Sequence, residues 1–280
     1  MRRILSGASR EGSPPAESRT RARSRRRYGR PSFALRAFMA AVVTLFVFPG
    51  VAFAAPPSAL DWAAPWPDRI YEPGFDYDGD GCYPTPAIGR DGTIAPGLAL
   101  GGAENGQCRD SWDLDNTNAY SRVKCNNGWC AYMYALYFEK DQAALGPGSA
   151  GHRHDWEHVV VWVQGEWGIY VSTSAHGRYT TRHRNNVPWD ETGKHPLVVY
   201  HKDGISTHCF RHAGFGERPE NHKGSWQWPP LIGWDNYPPG FRDKLVNHNF
   251  GSASFGLKDG SFEWELSKAL PAGIPFDPYA

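Results

Sequence analysis

The chain has 280 residues with 30 basic and 29 acidic side chains, a near-neutral balance that hides a strong asymmetry. Eleven arginines and only Glu11 and Glu17 fall before residue 55, so residues 55–280 keep 19 basic against 27 acidic groups, a net of about −8 with histidine neutral. That balance excludes the basic footprint of a nucleic-acid-binding protein, and the remaining length suits one domain with a substantial core.

Residues 1–54 read as a secretory leader. An arginine-rich start precedes Phe38 to Phe48, apolar apart from Thr44, and the small-x-small site Ala52-Phe53-Ala54 follows, with cleavage expected after Ala54. A membrane anchor needs roughly 20 apolar residues, and this run stops at Pro49-Gly50. Ser24-Arg25-Arg26-Arg27-Tyr28 loosely matches a twin-arginine signal, so the general and the twin-arginine export routes both stay open. The expected product is an extracellular domain spanning 55–280.

Asp76-Tyr77-Asp78-Gly79-Asp80-Gly81 is the first chemical candidate in chain order. Alternating carboxylates ending in glycine open an EF-hand-type calcium loop, but the twelfth position falls on Ala87 where that loop needs a bidentate glutamate. A solvated acidic turn is the competing reading of Asp76, Asp78 and Asp80.

All five cysteines lie beyond the leader, in a product bound for an oxidising compartment. Two disulfides with one thiol left over is the economical count, and sequence alone does not decide the pairing. We expect Cys82 with Cys108, closing a loop worth roughly 3.5 kcal/mol in the chain-entropy model, and Cys125 with Cys130 around the turn residues Asn126-Asn127-Gly128. Cys209 then remains as a small buried residue. The Cys-x4-Cys spacing has no second pair at zinc-site distance.

Glycine and proline turns separate short aromatic or β-branched runs: Ala131 to Phe138, His158 to Val163, Gly168 to Thr173 and Leu197 to His201. No long amphipathic helical window interrupts them. The pattern predicts a mainly β protein, an antiparallel β-sandwich or barrel with peripheral helices and long functional loops.

Chemistry concentrates where one of these strands begins, in Gly151-His152-Arg153-His154-Asp155-Trp156-Glu157. His154 to His158 also spells H-x-x-E-H, in which two histidines one helical turn apart would bind zinc. The flanking Val159-Val160-Val161-Trp162 is strand composition. In a strand those histidines stand about 13 Å apart, too far for one zinc. Asp155 and Glu157 instead share a face, His152 can fold back from the glycine-flanked approach, and Asp141 can reach in from the preceding loop. Such a mostly oxygen set suits a hard cation, Mg²⁺ or Ca²⁺, with Arg153, His154 and Trp156 facing away. A salt network of Asp155 and Glu157 with Arg153 or nearby lysines is the equal alternative.

The heptad resembles the hallmark of the necrosis-inducing protein family, the secreted necrosis- and ethylene-inducing-peptide-like cytolysins. So do Asp80-Gly81-Cys82-Tyr83-Pro84, Cys125-Asn126-Asn127-Gly128, Ala131-Tyr132-Met133-Tyr134 through Asp141-Gln142, Tyr200-His201-Lys202-Asp203-Gly204 and Phe276-Asp277-Pro278-Tyr279. The resemblance covers most of residues 60–280. It implies a β-sandwich similar to actinoporins and fungal lectins, with a divalent cation held by Asp141, His152, Asp155 and Glu157, and His154 in or beside the site. Ten residues separate Asp141 from His152, more than in the common type, which makes Asp141 the least secure ligand. The four paired cysteines resemble the family's two-disulfide type, and Asp76 to Gly81 lies where such members carry an extra calcium-binding element.

The resemblance further implies a secreted toxin without turnover chemistry. Its partners would be glycosyl inositol phosphoryl ceramides, the sugar-headed sphingolipids of plant plasma membranes, and plant immune receptors that detect the 131–153 stretch. Trp189 is a candidate lipid-facing aromatic, against a packing role. A noncytolytic sugar-binding homologue and a metallohydrolase are the rival readings.

Overall fold

The computed structural model describes residues 55–146 and 149–280; the expected leader and its cleavage after Ala54 lie outside the described residues. In chain order the strands are β1 (Gly74–Tyr77), β2 (Ala119–Asn126), β3 (Trp129–Gln142), β4 (Gly151–Gln164), β5 (Trp167–Ala175), β6 (Arg178–His183), β7 (Leu197–Lys202), β8 (His208–His212) and β9 (Leu231–Gly233). Three short helices, α1 (Trp66–Ile70), α2 (Phe241–Asn247) and α3 (Ser261–Ala269), are accessories.

The strands form two sheets, one of six in the order β6-β5-β4-β3-β2-β9 and one of three in the order β1-β7-β8. Local turn chemistry sets the hairpins. Asn126 faces Trp129 across β2 and β3, so the loop is the two residues Asn127-Gly128, whose φ values of 50° and 79° fit the turn type that favours Asn-Gly. Cys125 and Cys130 are cross-strand neighbours in that ladder and are disulfide-bonded. The second disulfide joins Cys82 to Cys108, and Cys209 is free and buried. Two pairs, β1 with β7 and β2 with β9, are parallel. They join strands distant in the chain, which no local turn pattern announces.

The centre of the larger sheet is buried on both faces, which explains why β3 and β4 read as continuous apolar runs. Tyr132, Tyr134, Leu136, Phe138, Val159 and Val161 point toward Phe75, Tyr200 and Phe210 of the smaller sheet and form the sandwich core. Alternate residues Met133, Tyr137, Trp156, Val160 and Trp162 face the other way, against Leu245 of α2, Phe262 and Leu266 of α3, and Phe255. Trp189 packs half-buried against the sandwich core and donates its indole N–H to the Arg184 carbonyl, contacts of the packing role. No helix among the described residues is long and apolar enough to cross a membrane.

Candidate functional site

The heptad forms the first half of β4, and its polar residues end at an open cavity of about 280 Å³. Asp141, His152, Asp155, Glu157, Ser174 and His208 line its floor; α3 closes one wall with Glu265 and Lys268. His154 to His158 runs within strand β4 and forms no helical turn, so the helical two-histidine zinc arrangement is not formed.

Two features bring the floor together. Asp141 and His152 are register partners of the β3–β4 ladder, as are Gln142 and Gly151. The additional loop residues are therefore taken up beyond the ladder, and Asp141 keeps its place beside His152. The close approach requires glycine at 151: its φ is 140°, and a Cβ there would stand 2.2 Å from the Asp141 carbonyl oxygen.

The second feature is His154, whose φ of 64° is left-handed and uncommon for a non-glycine residue. Glu139 and His154 have no partners in a ladder that is otherwise continuous from Trp129 to Gln142. That break changes the side-chain phase of β4. His152 joins Asp155 on the cavity side, while Arg153 donates to the Pro96 carbonyl and His154 packs on Tyr137, His248 and Phe250. His154 thus stands beside the site on the opposite face of the strand. Its imidazole, bonded to the Tyr137 hydroxyl at 2.6 Å, is pushed down to about 4 by burial and by neighbouring His248 and Arg153.

Potential ligand atoms of Asp141, His152 and Asp155 lie within 4.8 Å of one another. His152 Nδ1 is 2.7 Å from the His154 carbonyl, which can only accept, so Nδ1 carries the proton and Nε2 keeps the lone pair a metal needs. Tyr200 donates to Asp155 at 3.0 Å. Glu157 lies next along the same face, outside that set of three, and accepts from the Ser174 hydroxyl. Among the described residues neither Asp155 nor Glu157 has an ion pair with Arg153 or any lysine. The salt-network reading therefore fails, because Arg153 is turned to the other face.

Burial, reinforced by the charge of Asp141, holds the Asp155 carboxyl well above the usual range; burial, then Asp155, does the same to Glu157. Deeply buried carboxylates without a basic partner are costly unless a cation or a proton neutralises them. The gathered donors, two carboxylates and one imidazole with Glu157 next along the face, fit a hard divalent ion.

Residues that sequence reasoning missed complete the cluster from the other sheet. The His208 backbone N–H donates to both Asp141 carboxylate oxygens at 2.9 Å, and its Nδ1 is 2.8 Å from Oδ1. The ring stacks on Tyr200, with centroids 5.2 Å apart. Burial alone would lower the His208 imidazole, but Asp141, Asp80 and Asp155 together hold it above its ordinary value. Nothing in the local sequence marks these as site residues: His208 and Tyr200 reach it from the smaller sheet, and Ser174 from β5, the strand beside β4.

The acidic stretch at 76–81 does not converge. Asp76 is buried and accepts from the backbone N–H groups of Glu220 and Asn221. Asp78 pairs with Arg211 at 3.3 Å, and burial raises its carboxyl to about 6. Asp80 points toward His208, 3.6 Å from Nε2. The three carboxylates thus serve three different partners.

Fold and site together define a β-sandwich protein with an acidic, imidazole-bearing cavity at one end of its sheets. The sequence matches the family described as Necrosis inducing protein (NPP1) over residues 68–269. It is 35% identical to NLP effector protein 10 of Phytophthora capsici over 195 residues, 68% of this chain and 77% of the relative. A solved structure described as "NLPPya in complex with mannosamine" superposes with a TM-score of 0.60 at 28% identity, covering 78% of this chain and 100% of that one. Another, described as "non-toxic HaNLP3 protein", gives 0.64 at 25% identity, covering 77% and 97%. The chain belongs to the necrosis-inducing protein family.

Proposed function

We propose that this chain is a secreted cytolysin that binds the sugar head groups of glycosyl inositol phosphoryl ceramides on plant plasma membranes and disrupts the bilayer, with no turnover chemistry. Asp141, His152, Asp155 and Glu157 would hold a divalent cation, Mg²⁺ or Ca²⁺, that offsets the buried charge and ligates sugar hydroxyls at the cavity mouth. The observation that carries the reading is the trio Asp141, His152 and Asp155, gathered to ligand distance with no lysine or arginine among the described residues paired to Asp155. The mannosamine complex of a structural relative supports a sugar as the addressed group. Two disulfides in a small domain support export into an oxidising compartment.

The 131–153 stretch proposed for recognition by immune receptors is mostly buried β3 and β4, so a receptor would read it after the fold is degraded. A noncytolytic sugar-binding protein is the second reading, favoured by the likeness to the structure described as non-toxic. Dye release from vesicles made with and without plant sphingolipid tests the choice. The cytolysin should release dye only with the sphingolipid and a divalent cation, and Asp155→Ala or Glu157→Ala should seal the vesicles. Binding without release establishes the second reading, and undiminished release by both variants overturns the cation's role.

A further inference from the structure

A second group of ligand-type side chains starts at His176 on the cavity edge, extends away from it, and serves none of the chemistry above. It is built from two hairpins. His176 occupies the tip between β5 and β6: Ala175 faces Arg178, so His176-Gly177 is a two-residue turn with φ values of 50° and 76°. Such a first turn position favours Asn, Asp or Gly, and here it carries an imidazole. Asp203 follows β7, and Cys209, only 2% exposed, lies in β8. One potential ligand atom from each of these three lies within 4.8 Å of the other two.

The individual separations have a chemical meaning. Zinc holds sulfur at about 2.3 Å and nitrogen or oxygen at about 2.0–2.1 Å in a tetrahedron. Those lengths place a sulfur and a nitrogen ligand about 3.6 Å apart, and a nitrogen and an oxygen ligand about 3.3 Å apart. His176 Nε2 is 3.2 Å from Asp203 Oδ2. Cys209 Sγ is 3.6 Å from Nε2 of His201, its cross-strand neighbour on β7. The imidazole–carboxylate distance matches that of two ligands on one tetrahedral ion, and the hydrogen bond with His201, fixed by the ladder, orients the sulfur beside them.

We propose that Cys209, His176 and Asp203, with solvent as fourth donor, form a binding site for a borderline transition cation of the Zn²⁺ type. On binding, the thiol proton leaves to solvent and the sulfur becomes a thiolate ligand. One sulfur with imidazole and carboxylate selects softer ions than the oxygen-rich Asp141 cluster does, so the two neighbouring clusters differ in the ions they favour. Filling this second site would tie the β5–β6 tip to the β7–β8 hairpin. This site goes beyond the sugar-binding reading and does not depend on it.

The test is titration of the metal-stripped, purified full chain with Co²⁺, followed by absorption. The expected result is a sulfur-to-cobalt charge-transfer band in the near ultraviolet, saturating at one equivalent and abolished by Zn²⁺. The band should survive Asp155→Asn, which disables the other cluster, and vanish in Cys209→Ser. His176→Asn, which suits a left-handed turn position and so keeps the fold, should weaken Co²⁺ binding by about tenfold or more. Absence of the near-ultraviolet band overturns the site. So does its loss in Asp155→Asn, or unchanged affinity in His176→Asn.

Discussion

Replacing Asp155 with asparagine removes one charge from the cavity floor while keeping its shape. Ligand oxygens of Asp155 and Asp141 lie within 4.8 Å. Two unit charges at that distance would repel by up to about 3.5 kcal/mol at an effective dielectric constant near 20, an upper bound because burial and Asp141 push the Asp155 carboxyl up toward its neutral form. In the metal-free chain the substitution relieves that repulsion, so Asp155→Asn should unfold at a higher temperature than wild type in chelator. A cation reverses the order. At one hundred times its dissociation constant, a ligand specific for the folded state adds about 2.7 kcal/mol. For a domain of this size that raises the unfolding temperature by about 5–11 °C. The amide that replaces the carboxylate in the variant offers a neutral ligand among the remaining charges, and the gain should shrink below about 2 °C. Scanning calorimetry in chelator and in Mg²⁺ or Ca²⁺, at matched ionic strength, reads both effects. A wild type indifferent to both cations, or a variant that keeps the full gain, would show that the floor carboxylates do not answer to a bound ion.

Gly151→Ala places a Cβ against the Asp141 carbonyl, and should cost more than about 1 kcal/mol in urea unfolding while weakening cation binding measured by calorimetry. His154 stays neutral in the fold until near pH 4, whereas the unfolded chain takes up that proton near pH 6.5. Its contribution to stability is therefore complete above pH 6.5 and is lost as pH falls toward 4. His154→Asn, which tolerates positive φ, should gain on wild type by up to about 1.4 kcal/mol per pH unit across that window, read by urea unfolding at several pH values. Opening the disulfide with a sequence separation of 26, Cys82–Cys108, should cost about 3.5 kcal/mol, and opening the one with a separation of 5, Cys125–Cys130, about 2 kcal/mol. Equal losses in paired serine variants would show that loop entropy does not govern them.

The β fold was legible wherever apolar runs and turn residues coincide, as at 131–138 and 158–163, and the strands proved longer than those runs. β3 continues through Glu139 to Gln142 and β4 begins at Gly151, because the backbone keeps pairing at the cavity end whatever the polarity of the side chains it carries. The paired cysteines were legible at the Asn-Gly turn, where local geometry decides the outcome. The short parallel strands β1 and β9 were not, since their partners lie in distant parts of the chain.

At the site, period-two alternation marks Asp155 and Glu157 as neighbours. It misplaces His152, whose parity matches His154, and only the left-handed residue 154 brings it round. The length of the loop after Asp141 suggested a displaced ligand, yet register rather than loop length fixes that residue. The support given by His208, Tyr200 and Ser174 arises from packing of separate strands, for which a single sequence carries no local pattern.

Whether the cavity floor grips one hard dication is read most directly with Mn²⁺, through anomalous scattering from soaked crystals. An anomalous peak is expected, bounded by the carboxylates of Asp141 and Asp155 and by Nε2 of His152, and absent in Asp155→Asn crystals. A featureless floor at saturating Mn²⁺, or a peak that persists unchanged in that variant, would mean that these side chains do not hold an ion.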